Sequence, residues 1–147
     1  MTLIDANLLL YAFDLSSLHH RPARHWLETT LSKPEPVALS WATILAFLRI
    51  GTTPRLLQRP LAMATAAGMV SQWLARPTVT VLSPGDRHWE ILNRFLTEGQ
   101  AQGSLVTDAH LAALAVEHGA TIATLDRDFA RFPGLRFFNP LLAELRS

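Results

Sequence analysis

The sequence predicts an α/β domain, a central parallel sheet of about five strands with helices on both faces, in three layers. Two observations carry this. Short apolar segments with strand character alternate with helical segments along the whole chain. Strands separated by helices pair in parallel and are covered on both sides. No long polar linker interrupts the 147 residues, so residues 1–147 are expected to form a single domain.

The elements follow in order. Thr2-Leu3-Ile4-Asp5 is an apolar run that ends on an acid, and a helix follows from Asn7 through Tyr11 and Phe13. His19 to Leu31 is helical, with Pro22 in its first turn and Trp26 and Leu27 facing inward. Lys33-Pro34-Glu35-Pro36 is a turn, and Val37 to Ser40 a short buried strand. Trp41 to Ile50 is a helix, because Trp41, Ile44, Leu45 and Leu48 fall at i, i+3, i+4 and i+7. Gly51 stops it, and Thr52 to Pro60 is a loop containing Pro and Arg. Leu61 to Ala75 is a helix rich in small residues, and Thr78 to Leu82 alternates like a strand. Pro84 to Glu98 is a helix with Trp89, Leu92 and Leu96 on its apolar stripe, and Gly99 to Ser104 a loop. Thr107 to His118 is a helix closed by Gly119. A strand over Ala120 to Leu125, a turn or short helix over Asp126 to Phe132, and a strand over Leu135 to Phe138 follow. Pro140 opens a short terminal helix.

Composition excludes several classes. There is no cysteine, which removes disulfides, thiol nucleophiles and iron–sulfur sites together. Apolar residues at 49% and charged residues at 17% exclude a disordered chain. The apolar runs are too short to span a membrane. Met1 to Asp5 lacks the basic start of a signal peptide, so a cytoplasmic protein is expected. The formal charge is +1, from 13 basic and 12 acidic residues, and Lys33 is the only lysine. Four tryptophans, seven phenylalanines and a mean hydropathy of +0.18 point to a homodimer with exposed aromatic surface, for which Trp73 and Phe95 are candidates.

The aspartates carry the chemistry. Asp5 follows Leu3-Ile4, and Asp126 follows Thr121 to Leu125. Both therefore lie at carboxyl ends of predicted parallel strands, the edge where open α/β sheets bind ligands. Asp108 lies in the first turn of its helix, on one face with Leu111, Ala112 and Ala115. Each acid has a plainer reading. Asp108 also fits a carboxylate that complements a helix dipole, and Asp126 and Asp128 fit a capped turn. Asp5 is harder to place so, because a buried carboxylate with no nearby Lys or Arg needs a partner. Three such acids at one sheet edge make an oxygen-ligand site for Mg²⁺ or Mn²⁺.

Three blocks then resemble a known family. Asp5-Ala6-Asn7-Leu8-Leu9-Leu10-Tyr11, Leu105-Val106-Thr107-Asp108-Ala109-His110-Leu111, and Thr124-Leu125-Asp126-Arg127-Asp128-Phe129 are similar to the PIN domain. More narrowly, they resemble the VapC toxins of type II toxin–antitoxin systems. The resemblance implies a PIN-like fold and an endoribonuclease that hydrolyses phosphodiester bonds of tRNA or rRNA. It implies Mg²⁺, for which Mn²⁺ substitutes, and a VapB-like antitoxin whose tail occupies the active-site groove. Asp5, Asp108 and Asp126 are then the catalytic, metal-binding acids. Asn7 and Thr124 would orient carboxylates or a water, and Asp128 is a further candidate. Arg49, Arg55, Arg59 and Arg127 are candidates for holding RNA. One departure matters: the family usually has a glutamate where Ala46 stands, and no acid lies between Glu35 and Asp86. One or two metal ions therefore remain as alternatives.

Other readings stand beside this one. A receiver-type signalling domain also gathers aspartates at strand ends, but it needs a lysine after a late strand, and Lys33 precedes the second strand. A PIN-like module that only binds RNA or a partner, and an RNA-processing PIN nuclease without an antitoxin, are the alternatives within the fold.

Overall fold

The computed structural model describes residues 1–142. The terminal helix expected from Pro140 falls mostly on residues 143–147, outside the described residues. The chain runs β1 (Thr2–Ile4), α1 (Ala6–Phe13), α2 (His20–Ser32), β2 (Val37–Ser40), α3 (Trp41–Gly51), α4 (Met63–Ala75), β3 (Val79–Leu82), α5 (His88–Glu98), α6 (Leu105–His118), β4 (Thr121–Ala123) and β5 (Phe137–Phe138), with a 3₁₀ turn over Arg127–Arg131 between the last two strands. Among the described residues, no helix is long and apolar enough to cross a membrane.

The five strands form one sheet in the order β3-β2-β1-β4-β5. Every pairing is parallel. The chain builds outward from β1 to β3, then returns to the other side of β1 with β4. The β1–β4 junction is therefore the topological switch point. Its register sets Leu3 opposite Ile122 and Ile4 opposite Ala123.

Side chains alternate across the strands and separate two cores. Ile4, Val37, Leu39 and Ala123 pack with Leu8, Leu27, Ile44, Phe47, Val70 and Trp73, so α1 to α4 cover one face. Leu3, Ala38 and Ile122 pack with Ile91, Phe95, Leu111 and Leu114, so α5 and α6 cover the other. This is the three-layer α/β/α arrangement expected from the sequence.

Five expectations are corrected. The inward face of α3 is Thr43, Ile44 and Phe47, while Trp41 and Leu45 are exposed. Two apolar stripes run along α3, and Phe47 takes the inward one by stacking with Phe13 and Trp73. On α5 the buried stripe is His88, Ile91 and Phe95, and Trp89 is exposed. That helix starts at His88 rather than Pro84, because the Glu117 carboxylate accepts from the Gly85 and Arg87 N–H groups and holds the preceding segment as a loop. Trp73 and Phe95 are both buried, so neither supplies the exposed surface expected for a dimer. Finally, β4 and β5 are shorter than expected. Thr124 to Asp126 leave the strand as a polar turn in which the Thr124 hydroxyl accepts from the Asp126 N–H.

Phe47 is fully buried, with ring centroids 6.1 Å from Phe13 and 4.9 Å from Trp73. Phe47→Ala is expected to cost about 3–5 kcal/mol, seen as a lower urea midpoint at unchanged slope. A cost under about 1 kcal/mol would show that this cluster does not anchor α3.

Candidate active site

The site begins where β1 ends. Asp5 caps α1 with its side chain, accepting from the Ala6 N–H through Oδ1 at 2.8 Å. A carboxylate at a helix N-terminus is favoured by the dipole. Its backbone N–H donates to the Ala123 carbonyl at 3.0 Å and continues the β1–β4 ladder for one residue. The carboxylate is thereby fixed from below and from the helix side.

The neighbouring strand supplies the next contact. Thr124 is buried, and its Oγ1 donates to Asp5 Oδ2 at 2.7 Å. The same oxygen accepts from the Asp126 N–H at 3.0 Å. Asp126 Oδ1 accepts from the Asp128 N–H at 2.8 Å and caps the 3₁₀ turn. One hydroxyl thus ties the acid after β1 to the acid after β4.

Asp108 reaches the site from α6. It lines a cavity of about 370 Å³ with Asp5. The α3 wall of this cavity includes Ala42, Ala46 and Arg49, and Ser104 and Thr107 flank Asp108. Asp126 and Arg127 instead border an adjoining cavity of about 270 Å³ with Thr124, Phe137 and Phe138.

Electrostatics link the acids. Burial, together with like charge from Asp126, pushes the Asp5 carboxyl up, against the Thr124 hydroxyl and the Ala6 N–H. Asp108 is pushed up to about 6, first by burial and then by the charges of Asp5, Asp126 and Asp128, with Arg131 opposing. Perturbed carboxyls of this kind gather at functional sites.

The structure therefore brings Asp5, Asp108 and Asp126 to one sheet edge, with Thr124 between two of them. Asn7 sits in the first turn of α1, and its Oδ1 is buried without a hydrogen-bond partner. Asp128 is exposed and lies 3.9 Å from Arg131. Of the four arginine candidates, Arg49 lines the cavity with Asp5 and Asp108, and Arg127 borders the one with Asp126. Arg55 and Arg59 lie in the exposed stretch between α3 and α4 and line neither cavity.

Sequence reasoning missed Arg131, whose Nη1 donates to the Gly99 carbonyl at 2.8 Å. The i, i+3 spacing from Asp128 was its only local signal. It also missed Ser40 and Thr43, a buried hydroxyl pair at the end of β2, which the capping pattern Ser-x-x-Thr could have revealed. The histidines lie elsewhere: His110 turns to His88, with Nδ1 3.0 Å from its Nε2.

The PIN-domain family model matches residues 2–135. Ribonuclease VapC37 of Mycobacterium tuberculosis is 46% identical over 140 residues, covering 95% of this chain and 97% of that protein. The chain belongs to the PIN-domain family, among the VapC ribonucleases. Solved structures share the fold. VapBC2 of Rickettsia felis, bound to a promoter DNA fragment, superposes with a TM-score of 0.65 at 20% identity, covering 94% of this chain and 97% of that one. VapC20 of Mycobacterium tuberculosis, a sarcin–ricin loop cleaving toxin, gives 0.64 at 18% identity, covering 92% and 99%. Ala46 does line the cavity in this PIN domain, at the position where the sequence lacks the usual glutamate.

The raised Asp108 carboxyl sets a pH dependence. The folded state holds more protons than the unfolded chain between the ordinary Asp value of 3.8 and about 6. Stability therefore falls as pH rises through that window. In chelator, Asp108→Asn is expected to exceed wild type by about 1 kcal/mol above pH ~7, a modest gain because a partly exposed site is screened. The gain should vanish toward the lower end of the window. An advantage independent of pH, measured by urea unfolding, would refute an origin in the burial and like-charge cost of the ionised Asp108 carboxylate.

Proposed function

We propose that this PIN domain is a Mg²⁺-dependent endoribonuclease, the toxin of a toxin–antitoxin pair, acting on cellular tRNA or rRNA in the cytoplasm. The observation that carries the reading is the pairing of Asp5 and Asp108 across one cavity, with Asp126 coupled to Asp5 through Thr124. The names of its close relatives support it.

The residues suit a hydrated Mg²⁺. The donors are hard oxygens, and the buried Asn7 Oδ1 lacks a partner. Among the described residues, no three Asp, Glu or His side chains converge enough to cage an ion by themselves. Mg²⁺ keeps several waters and uses one or two carboxylates directly, so Asp5 and Asp108 would hold it and Asp126 would act through water. When bound, Mg²⁺ lowers the pKa of a water and offsets charge on the reacting phosphoryl group. Thr124 fixes the orientation of the Asp5 carboxylate, and the protein lends no nucleophile of its own. Water adds to phosphorus and the bond to the 3′-oxygen breaks, leaving a 5′-phosphate and a 3′-hydroxyl. Protons compete with metal for Asp108, so metal affinity falls with pH below about 6.

Asp5→Ala, Asp108→Ala and Asp126→Ala are each expected to lower cleavage of total RNA at least about a hundredfold, with circular dichroism unchanged. Full cleavage by Asp108→Ala, or wild-type cleavage in chelator, would refute the metal-nuclease reading.

The partner is proposed to be a VapB-like antitoxin, with the toxin itself a homodimer. An antitoxin arginine placed among Asp5, Asp108 and Asp126 makes charge-assisted contacts. The exposed Trp41 and Leu45, on the helix that walls the cavity, would take its apolar residues, with Tyr11 of α1 a further candidate. Inserted arginine and metal then compete. Mn²⁺ is expected to weaken binding of the antitoxin tail peptide beyond the effect of matched ionic strength. Affinity indifferent to Mn²⁺ would mean that the tail stays out of the acid site.

A further inference from the structure

The cavity between α3 and α6 is electrically divided. Asp5 and Asp108 line one side. The α3 wall presents Ala42 and Ala46, and Arg49 is the only ionisable residue on it. Among the described residues, Arg49 has no ion pair. The cation that eases Asp108 is Arg131 instead.

Nor is Arg49 spent on its own helix. It lies in the last turn of α3, where cationic side chains often bond the free carbonyls. Here threonines do that. Thr52 Oγ1 donates to the Leu48 carbonyl at 2.6 Å, and Thr53 Oγ1 to the Arg49 carbonyl at 2.5 Å. No acid lies between Glu35 and Asp86, so no i, i+3 or i, i+4 partner on α3 neutralises it. The backbone under Arg49 is anchored, and the residue is exposed while lining the cavity.

We propose that Arg49 grips a phosphate of the RNA strand across the cavity from Asp5 and Asp108, a substrate-positioning role that the small residues Ala42 and Ala46 leave room for. This rests on the part of the proposed function by which the domain binds RNA. A guanidinium forks onto two phosphate oxygens, which a lysine cannot match. The acids on the facing side repel phosphate, so a cation is needed to hold the strand there before metal enters. One wall thus binds the strand while the other binds the cation.

The test is binding without metal. The probe is a short fluorescein-labelled single-stranded RNA with 2′-O-methyl groups throughout, read by anisotropy in EDTA over a salt series. Arg49→Ala is expected to weaken binding about tenfold and to reduce the salt slope by about one, with the thermal midpoint unchanged. Arg49→Lys should keep most of the slope and lose part of the affinity. Arg94→Ala, on the exposed side of α5, should change little. Wild-type affinity and slope in Arg49→Ala, an equal loss in Arg94→Ala, or no binding of the probe by wild type would each overturn the proposal. Binding that depends on Arg49, in a protein that cleaves no RNA with Mg²⁺ or Mn²⁺, would instead refute the nuclease reading and leave this one standing.

Discussion

The parallel pairing of β1 with β4 is the constraint on which the candidate site depends. These strands are far apart in the chain, and their register brings Ile4 opposite Ala123. One residue further on, the Asp5 N–H bonds the Ala123 carbonyl, and both strands give way to polar residues. Thr124 sits between the two acids and serves both, donating to the Asp5 carboxylate and accepting from the Asp126 backbone. A slip of one residue would turn Asp5 and Thr124 to opposite faces. The sheet therefore sets which oxygens meet, and α6 then adds Asp108 from the side.

Such an arrangement is costly to the empty fold. Burial and mutual charge raise both Asp5 and Asp108, so the ionised cluster opposes folding near neutral pH. Arg131 offsets part of this, since its charge favours the Asp108 carboxylate while its Nη1 is held by the Gly99 carbonyl. Two separate cores on either face of the sheet supply the stability that the edge lacks. The proposed divalent cation would offset this charge, and in the same proposal Arg49 on the α3 wall would hold an anionic strand against the field of the acids.

Much of this was legible in the chain, because the signals were local. Strand-end acids follow short apolar runs, so Asp5 and Asp126 stand out without knowledge of the fold. The strand and helix order agrees with the sequence reading, and Ala46, where the resemblance expects a glutamate, lines the cavity. What was not legible depended on packing between distant elements. On α3 both Leu45 and Phe47 suit a core, and only the neighbours Phe13 and Trp73 decide for Phe47. Trp73 and Phe95 were expected at the surface on composition alone, yet each fills a core. Arg131 gave little local sign of acting on Asp108, since that effect crosses from the 3₁₀ turn to α6. Nothing in the sequence distinguished Arg49, in the cavity wall, from Arg55 and Arg59, which lie outside it.

The central claim is that this acid cluster binds a divalent cation. It is tested most directly by following the Asp108 side-chain carboxyl by ¹³C NMR across a pH titration, without and with saturating Mg²⁺. Asp108 in the metal-free protein should titrate near 6, and with metal engaged well below that, because the cation favours the carboxylate. The same midpoint in both titrations would contradict cation binding at this sheet edge.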